Sequence, residues 1–264
     1  MKAIISRGKT ASSYITKNIE AVGFRAIHAL SAELNKRFIK SIGLDTLNKF
    51  AADISNKRNI TAYIDFVTGE LGNLEDVVFV HNGILNQTQY LTPLLDSTNV
   101  PVLFSFRNPI MQSLSMVRSK QKKESTSVLR MERGLAEKFI RETSHVAGYN
   151  PVRADLEFLQ YFSEIVSLMI VAKNRKNRFI RYEDMVEQTG LVEAEISWLL
   201  GVEFSFTMKS IVNKLTESDY ISILAPQFTP TFIEWFDLSF RTEISDVLAY
   251  YRYDCQLGDI LRGV

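Results

Sequence analysis

The stretch from Lys2 to Gly23, KAIISRGKTASSYITKNIEAVG, constrains the fold more than any other part of the chain. Ala3, Ile4 and Ile5 form a short apolar run suited to a buried strand. Ser6 to Ser13 is a small, polar turn containing Gly8, and Ile15, Ile19 and Val22 then recur at helical spacing, with Gly23 placed to stop the helix. A strand, a small-residue turn and a helix together point backbone N–H groups and the positive end of the helix dipole at an anion. Lys9 adds a mobile cation, and Thr10, Ser12 and Ser13 add hydroxyl donors. An ordinary strand–loop–helix unit of an α/β protein has the same outline, so this stretch alone leaves both readings open.

The remaining composition narrows the class. At 264 residues, 46% apolar and 23% charged, the chain has enough material for a proper core and is expected to form one domain over 1–264. A net charge of +1 gives no global argument for nucleic acid or an anionic membrane. The single cysteine, Cys255, excludes an internal disulfide and a multi-cysteine metal site and reads as a small buried residue. No His and carboxylate cluster has metal spacing, so no metal is expected. The first apolar run is three residues long and is followed by polar ones, unlike a secretory leader, and no run approaches the ~20 apolar residues of a spanning helix. These features lead to the expectation of a soluble, cytoplasmic protein.

Along the chain, helical patterns are expected over 26–40, with Ile27, Leu30, Leu34 and Phe38 on one face and His28 just off it, and over 44–56. Residues 60–67 alternate as a strand does, and 68–73, with two glycines, read as a turn. Val77 to Val80 reads as a buried parallel strand that delivers His81 to its C-terminal end, where open α/β sheets place ligands. A helix over 87–95 leads to another buried strand, 100–106, in which Pro101 sits near the start. In Arg107-Asn108-Pro109, Asn108 is a good N-cap and Pro109 a good first helical residue, so a helix starts at the strand end, with Asn108, Met111, Gln112 and Ser115 on one face. Helices are expected over 125–144 and 153–171. The basic stretch 118–123 reads as a solvated face and His145 as a loop residue. Asp184 with Glu187 fits a capping box opening a further helix, and the aromatic-rich tail beyond Phe204 reads as lid and core.

Four of these segments resemble one family in the right order. Ser6-Arg7-Gly8-Lys9-Thr10-Ala11-Ser12-Ser13-Tyr14-Ile15 is similar to the phosphosulfate loop of sulfotransferases, S-R-P-[RK]-S-G-T-T-[YW]-L, without a gap. Val77 to His81 resembles the strand that carries a catalytic histidine in cytosolic members. Val102 to Ser115 resembles the segment that binds the 3′-phosphate: an apolar strand, R-[ND]-P, then a serine eight residues after the arginine. Arg181 to Met185 is similar to a strand-end Y-E-D-[LM]. Ile196 to Val202 resembles a shorter family segment, [IL]-x-x-[FW]-L-G.

The resemblance implies an α/β fold, a parallel sheet flanked by helices and related to the P-loop nucleotide kinases. It implies sulfuryl transfer from 3′-phosphoadenosine 5′-phosphosulfate (PAPS) to an acceptor hydroxyl or amine, leaving PAP, without a metal. The acceptor would be a small molecule, a glycan or a lipid. Arg7, Gly8, Lys9, Thr10, Ala11, Ser12 and Ser13 would form the 5′-phosphate loop, with Lys9 stabilising the leaving group. Tyr14 and Tyr182 would approach the adenine, Arg107 and Ser115 would hold the 3′-phosphate, and His81 would be the general base, with Asp65 and Glu70 as carboxylate substitutes. Ala11 departs from the family glycine, and the C-terminal R-K-G segment of cytosolic animal enzymes is absent. Two alternatives stay open: a non-catalytic nucleotide-binding protein on this fold, and a P-loop kinase. The kinase reading rests on Gly8-Lys9-Thr10, which ends like G-x-x-x-x-G-K-[ST].

Overall fold

The computed structural model describes residues 2–6, 10–28, 37, 40, 65–66, 69–70, 77–80, 100–121, 138–139, 141–143, 146, 149–207, 217–253 and 256–262. The chain divides into two compact units, residues 1–107 with 174–211, and residues 108–173 with 212–264.

The first unit is built on a sheet. Its strands are β1 (Lys2–Ile5), β2 (Arg25–His28), β3 (Val77–Val80), β4 (Val102–Phe106) and β5 (Arg178–Arg181), in the order β2-β3-β1-β4-β5. Every pairing is parallel. Ile4 lies opposite Val80 on one side and Leu103 on the other, and His28 lies opposite Val80. Helix α1 (Ser12–Ala21) packs on β2, and Gly23, at φ 92°, ends it in the left-handed conformation that the sequence reading assigned to a stop. Ile15 and Ile19 of α1 join Ile4, Val78, Leu103 and Ile180 of the strands in one fully or nearly fully buried cluster. Burying each such side chain is worth about 1.5–3 kcal/mol. Asn18 ties a distant segment to α1: its Oδ1 accepts from Thr207 N–H at 2.9 Å.

Strands at 77–80 and 102–106 and the helix from Pro109 agree with the sequence reading. Three expectations are corrected. Residues 25–28 are a strand and not the start of a helix, because the Arg25–His28 backbone pairs with β3 along its whole length. Four residues are too few to display a strand period, and Ile27 fits a helical stripe equally well. Residues 65–66 and 69–70 are helical, where alternation and two glycines favoured a strand and a turn. Asp184 does not open a helix. Helix α4 begins at Tyr182 (Tyr182–Glu187), and Asp184 sits in its first turn, where its carboxylate accepts from the Arg181 guanidinium at 3.4 Å. Helix α5 (Thr189–Leu200) follows and ends at Gly201. The helices expected over 44–56 and 87–95, and His145, lie outside the described residues.

The second unit is helical where described. Helix α2 (Pro109–Gln121) is capped as the sequence suggests: Asn108 Oδ1 accepts from Ile110 N–H at 3.0 Å and Met111 N–H at 3.3 Å. Helix α3 (Arg153–Asn174) is the longest described, and residues 138–139 and 141–143 are also helical. Phe158 and Phe162 of α3 meet Phe232 and Phe236 edge-on, at 5.9 Å between Phe158 and Phe232 and 4.8 Å between Phe162 and Phe236. Of the tail expected to be lid and core, Phe228, Phe232, Trp235, Phe236, Phe240, Tyr251 and Tyr253 are buried and Tyr250 is exposed. Asp155 is buried near the start of α3 and accepts from Thr229 Oγ1 at 2.7 Å and Thr229 N–H at 3.1 Å. Among the described residues, no helix is long and apolar enough to cross a membrane.

Candidate functional site

A fully parallel sheet gathers all its strand ends on one edge. The C-terminal edge here carries Ser6 after β1, His28 at the end of β2, Arg107 after β4 and Tyr182 after β5. The chain runs from β1 through α1 to β2 on one side of β1, and later crosses from β3 to β4 on the other. The strand order therefore reverses between β1 and β4, the switch point where open α/β sheets bind ligands.

The described end of the turn after β1, Thr10 and Ala11, has a backbone suited to anion binding. Ala11 is the N-cap of α1 at φ 58°, ψ 25°, in the left-handed region. A left-handed residue beside a helical one is the unit from which backbone N–H concavities are made. Ala11 thus holds a conformation that glycine adopts freely, at the conformational expense of an L-residue there. No side chain caps α1. Thr10 is fully buried, and its Oγ1 has no hydrogen-bond partner among the described residues. A hydroxyl removed from water needs a partner. A phosphate oxygen at the N-terminus of α1 would supply one, so the Thr10 hydroxyl fits an anion of phosphate type. Ser12 is buried and Ser13 exposed.

Two aromatic residues expected near a base are held by protein partners. Tyr14 stacks on Phe206 with ring centroids 5.1 Å apart, and burial is the main cause that raises its phenol above the ordinary tyrosine range. The Arg107 guanidinium lies over the Tyr182 ring, 4.8 Å from its centroid. Arg107 itself is buried, so a cation is held in a largely dehydrated place at the sheet edge. Ser115 lies on α2 in the second unit and is buried.

His28 is the residue that the sequence reading missed. His28 is exposed at the end of β2, its Nε2 is 2.9 Å from Ser12 Oγ and 3.4 Å from Ser13 Oγ, and the partial desolvation of the ring lowers its imidazole below the ordinary histidine range. The available signal was the apolar pair Ala26-Ile27 ending in a histidine, the same outline as Val77 to Val80 ending at His81. Arg7, Gly8, Lys9 and His81 lie outside the described residues. Of the substitute bases, Glu70 forms an ion pair with Arg37 at 2.6 Å, and Asp65 is exposed. Among the described residues, no group of His, Cys, Asp and Glu is placed to hold a metal ion.

No protein-family profile and no curated protein matches the chain. Three solved structures that it resembles are sulfotransferases. The sulfotransferase from Alicyclobacillus acidocaldarius is 13% identical, covers 96% of this chain and is itself 96% covered, with a TM-score of 0.42. The sulfotransferase domain from the curacin biosynthetic pathway is 12% identical, with 96% and 98% covered and a TM-score of 0.41. The sulfotransferase domain of the Synechococcus PCC 7002 olefin synthase is 12% identical, with 97% and 95% covered and a TM-score of 0.44.

Proposed function

We propose that this protein is a sulfotransferase that moves a sulfuryl group from PAPS to an acceptor hydroxyl or amine and releases PAP. The observation that carries the reading is the N-terminus of α1: a left-handed Ala11 that makes no side-chain cap, and a buried Thr10 hydroxyl without a described partner. It belongs to the same ten-residue segment that resembles the phosphosulfate loop.

When bound, the donor supplies an activated sulfuryl group on a phosphate leaving group. The sulfur–oxygen bond to that phosphate breaks as a bond to the acceptor oxygen or nitrogen forms, and the acceptor proton leaves to a base. The chain contributes position and charge. The Thr10, Ser12 and Ser13 hydroxyls and nearby N–H groups hold the 5′-phosphate, and Lys9 neutralises the charge that develops on the leaving oxygen. Arg107, braced by Tyr182, and Ser115, eight residues further along, hold the 3′-phosphate, an assignment that rests on the sequence resemblance. His81 takes the acceptor proton. The Glu70–Arg37 ion pair lowers the standing of Glu70 as a substitute. The left-handed Ala11 bears on the reading as a non-catalytic nucleotide binder. Its backbone conformation is one that glycine also adopts, which supports the catalytic reading.

The test is transfer of label from sulfur-labelled PAPS to a panel of hydroxyl and amine acceptors of small-molecule, glycan and lipid type. Turnover should fall further than PAP affinity in Lys9→Ala, and by about 10²–10⁴-fold in His81→Ala. PAP binding with no labelled product above the Lys9→Ala background would favour the non-catalytic reading.

A further inference from the structure

The donor reading leaves His28 without a role, although it touches both serines of the turn. Those contacts have an ambiguity that proton placement resolves. A neutral imidazole whose Nε2 lacks a proton accepts from the Ser12 hydroxyl and so occupies the proton that a phosphate oxygen would need. An imidazole protonated at Nε2 donates to Ser12 Oγ, and the serine proton is then directed elsewhere. In the imidazolium both nitrogens are donors, so the second arrangement is enforced, and a positive charge stands beside the first turn of α1. Hydroxyl orientation and charge therefore change in the same direction with one proton.

We propose that His28 is a proton-coupled positioning residue of the phosphate site: it takes up a proton when a phosphate group binds at the N-terminus of α1, and thereby turns the Ser12 hydroxyl, and secondarily that of Ser13, toward the phosphate. The inference rests on the donor reading above. Its geometric basis is the 2.9 Å contact to Ser12 Oγ, the 3.4 Å contact to Ser13 Oγ and the buried Thr10 Oγ1 without a described partner just before the same helix.

The surroundings suit such coupling. Among the described residues, α1 and β3 pack against β2. Val77–Val80 carries no titratable side chain. On α1, Lys17 and Glu20 lie one and two turns beyond Ser13 on its exposed face, Tyr14 is stacked on Phe206, and Arg25 sits at the opposite end of β2. Partial desolvation favours the neutral ring in the free protein, and an arriving anion favours the charged one.

The experiment follows the ring resonances of the full-length protein's three histidines against pH, with and without saturating PAP. His28 is assigned by the signal missing from His28→Gln. The expected result is a His28 midpoint below about 6.5 in the free protein that rises by about one pH unit with PAP. PAP affinity should then fall about tenfold more in the wild type than in His28→Gln as pH is raised through that window, the ionisation of PAP itself being common to both. Glutamine can still donate to Ser12, so a purely structural role would be rescued by it, whereas the pH coupling would not. Ser12→Ala should reduce the shift of the midpoint. An unchanged His28 midpoint in protein that PAP saturates overturns the inference and leaves the donor reading standing. Failure of PAP to perturb the Ser12 and Ser13 amides or to bind at any pH overturns both.

Discussion

Replacing Ala11 by glycine tests the left-handed turn on which the phosphate site depends. At φ 58°, ψ 25°, the alanine Cβ crowds its own carbonyl, a cost of about 1–2 kcal/mol for an L-residue. Glycine removes that cost. Against it stand the larger unfolded-state freedom of glycine, about 0.4–1 kcal/mol, and the loss of a methyl group that packs partly against the core cluster. Half of a buried methyl is about 0.4 kcal/mol. The net expectation for Ala11→Gly is a gain of about 0.5 kcal/mol, or about 1–2 °C in Tm for a chain of this size. Were residue 11 in ordinary right-handed helix, the same change would cost about 1 kcal/mol. The two outcomes differ in sign and are separable by urea unfolding with parallel calorimetry. PAP should bind the variant at least as tightly as the wild type, since nothing is added to the loop. A destabilised Ala11→Gly with an unchanged denaturant slope would refute the left-handed turn.

Three further outcomes follow from the same structure. Leu103→Ala empties a fully buried position in the central sheet and should cost about 2–5 kcal/mol in urea unfolding. Asp155→Ala removes the acceptor for Thr229 Oγ1, Thr229 N–H, Tyr149 O–H and Val152 N–H, and should cost about 3 kcal/mol. Asp155→Asn, which keeps one carbonyl oxygen, should cost less than half of that. The depressed His28 imidazole gives a signed pH effect without ligand: the unfolded chain binds its proton more readily, so the contribution of His28 is fully present above about pH 6.5 and is lost as pH falls through the folded midpoint. The wild type should lose Tm over that interval relative to His28→Gln, and parallel curves would contradict the depressed imidazole.

The legible parts of the chain were those whose local chemistry has few alternatives. Val102 to Phe106 is an unbroken apolar and aromatic run with one serine, and it is a buried strand. Asn108-Pro109 can hardly do other than open a helix, and Asn108 caps one. Lys2 to Gly23 announced its strand and helix because an apolar run, small polar residues and helical spacing occur in the order that the geometry needs. The four-residue strand β2 was hidden because Ile27 satisfied a helical stripe as well as a strand, and only pairing with β3 decides between them. His28 was misplaced along with it. Its contacts to Ser12 and Ser13 arise from the parallel crossover through α1, which spacing along the sequence does not report. Phe206 was invisible as the partner of Tyr14 for the same reason, since the two are joined by packing and not by any local pattern. Residues 65–66 and 69–70 show the converse failure, in which alternation along a segment leaves the helix-or-strand choice to tertiary contacts.

Calorimetric titration of PAP, AMP and magnesium ATP into the wild type and Arg107→Ala puts the donor assignment to its most direct trial. The account predicts one saturable PAP site, weaker binding of AMP because it lacks the 3′-phosphate, and loss of most of that preference in Arg107→Ala, since a charge-assisted bond is worth about 1.5–3 kcal/mol. A folded protein that binds magnesium ATP more tightly than PAP, or that takes up no PAP at millimolar concentration, would contradict it.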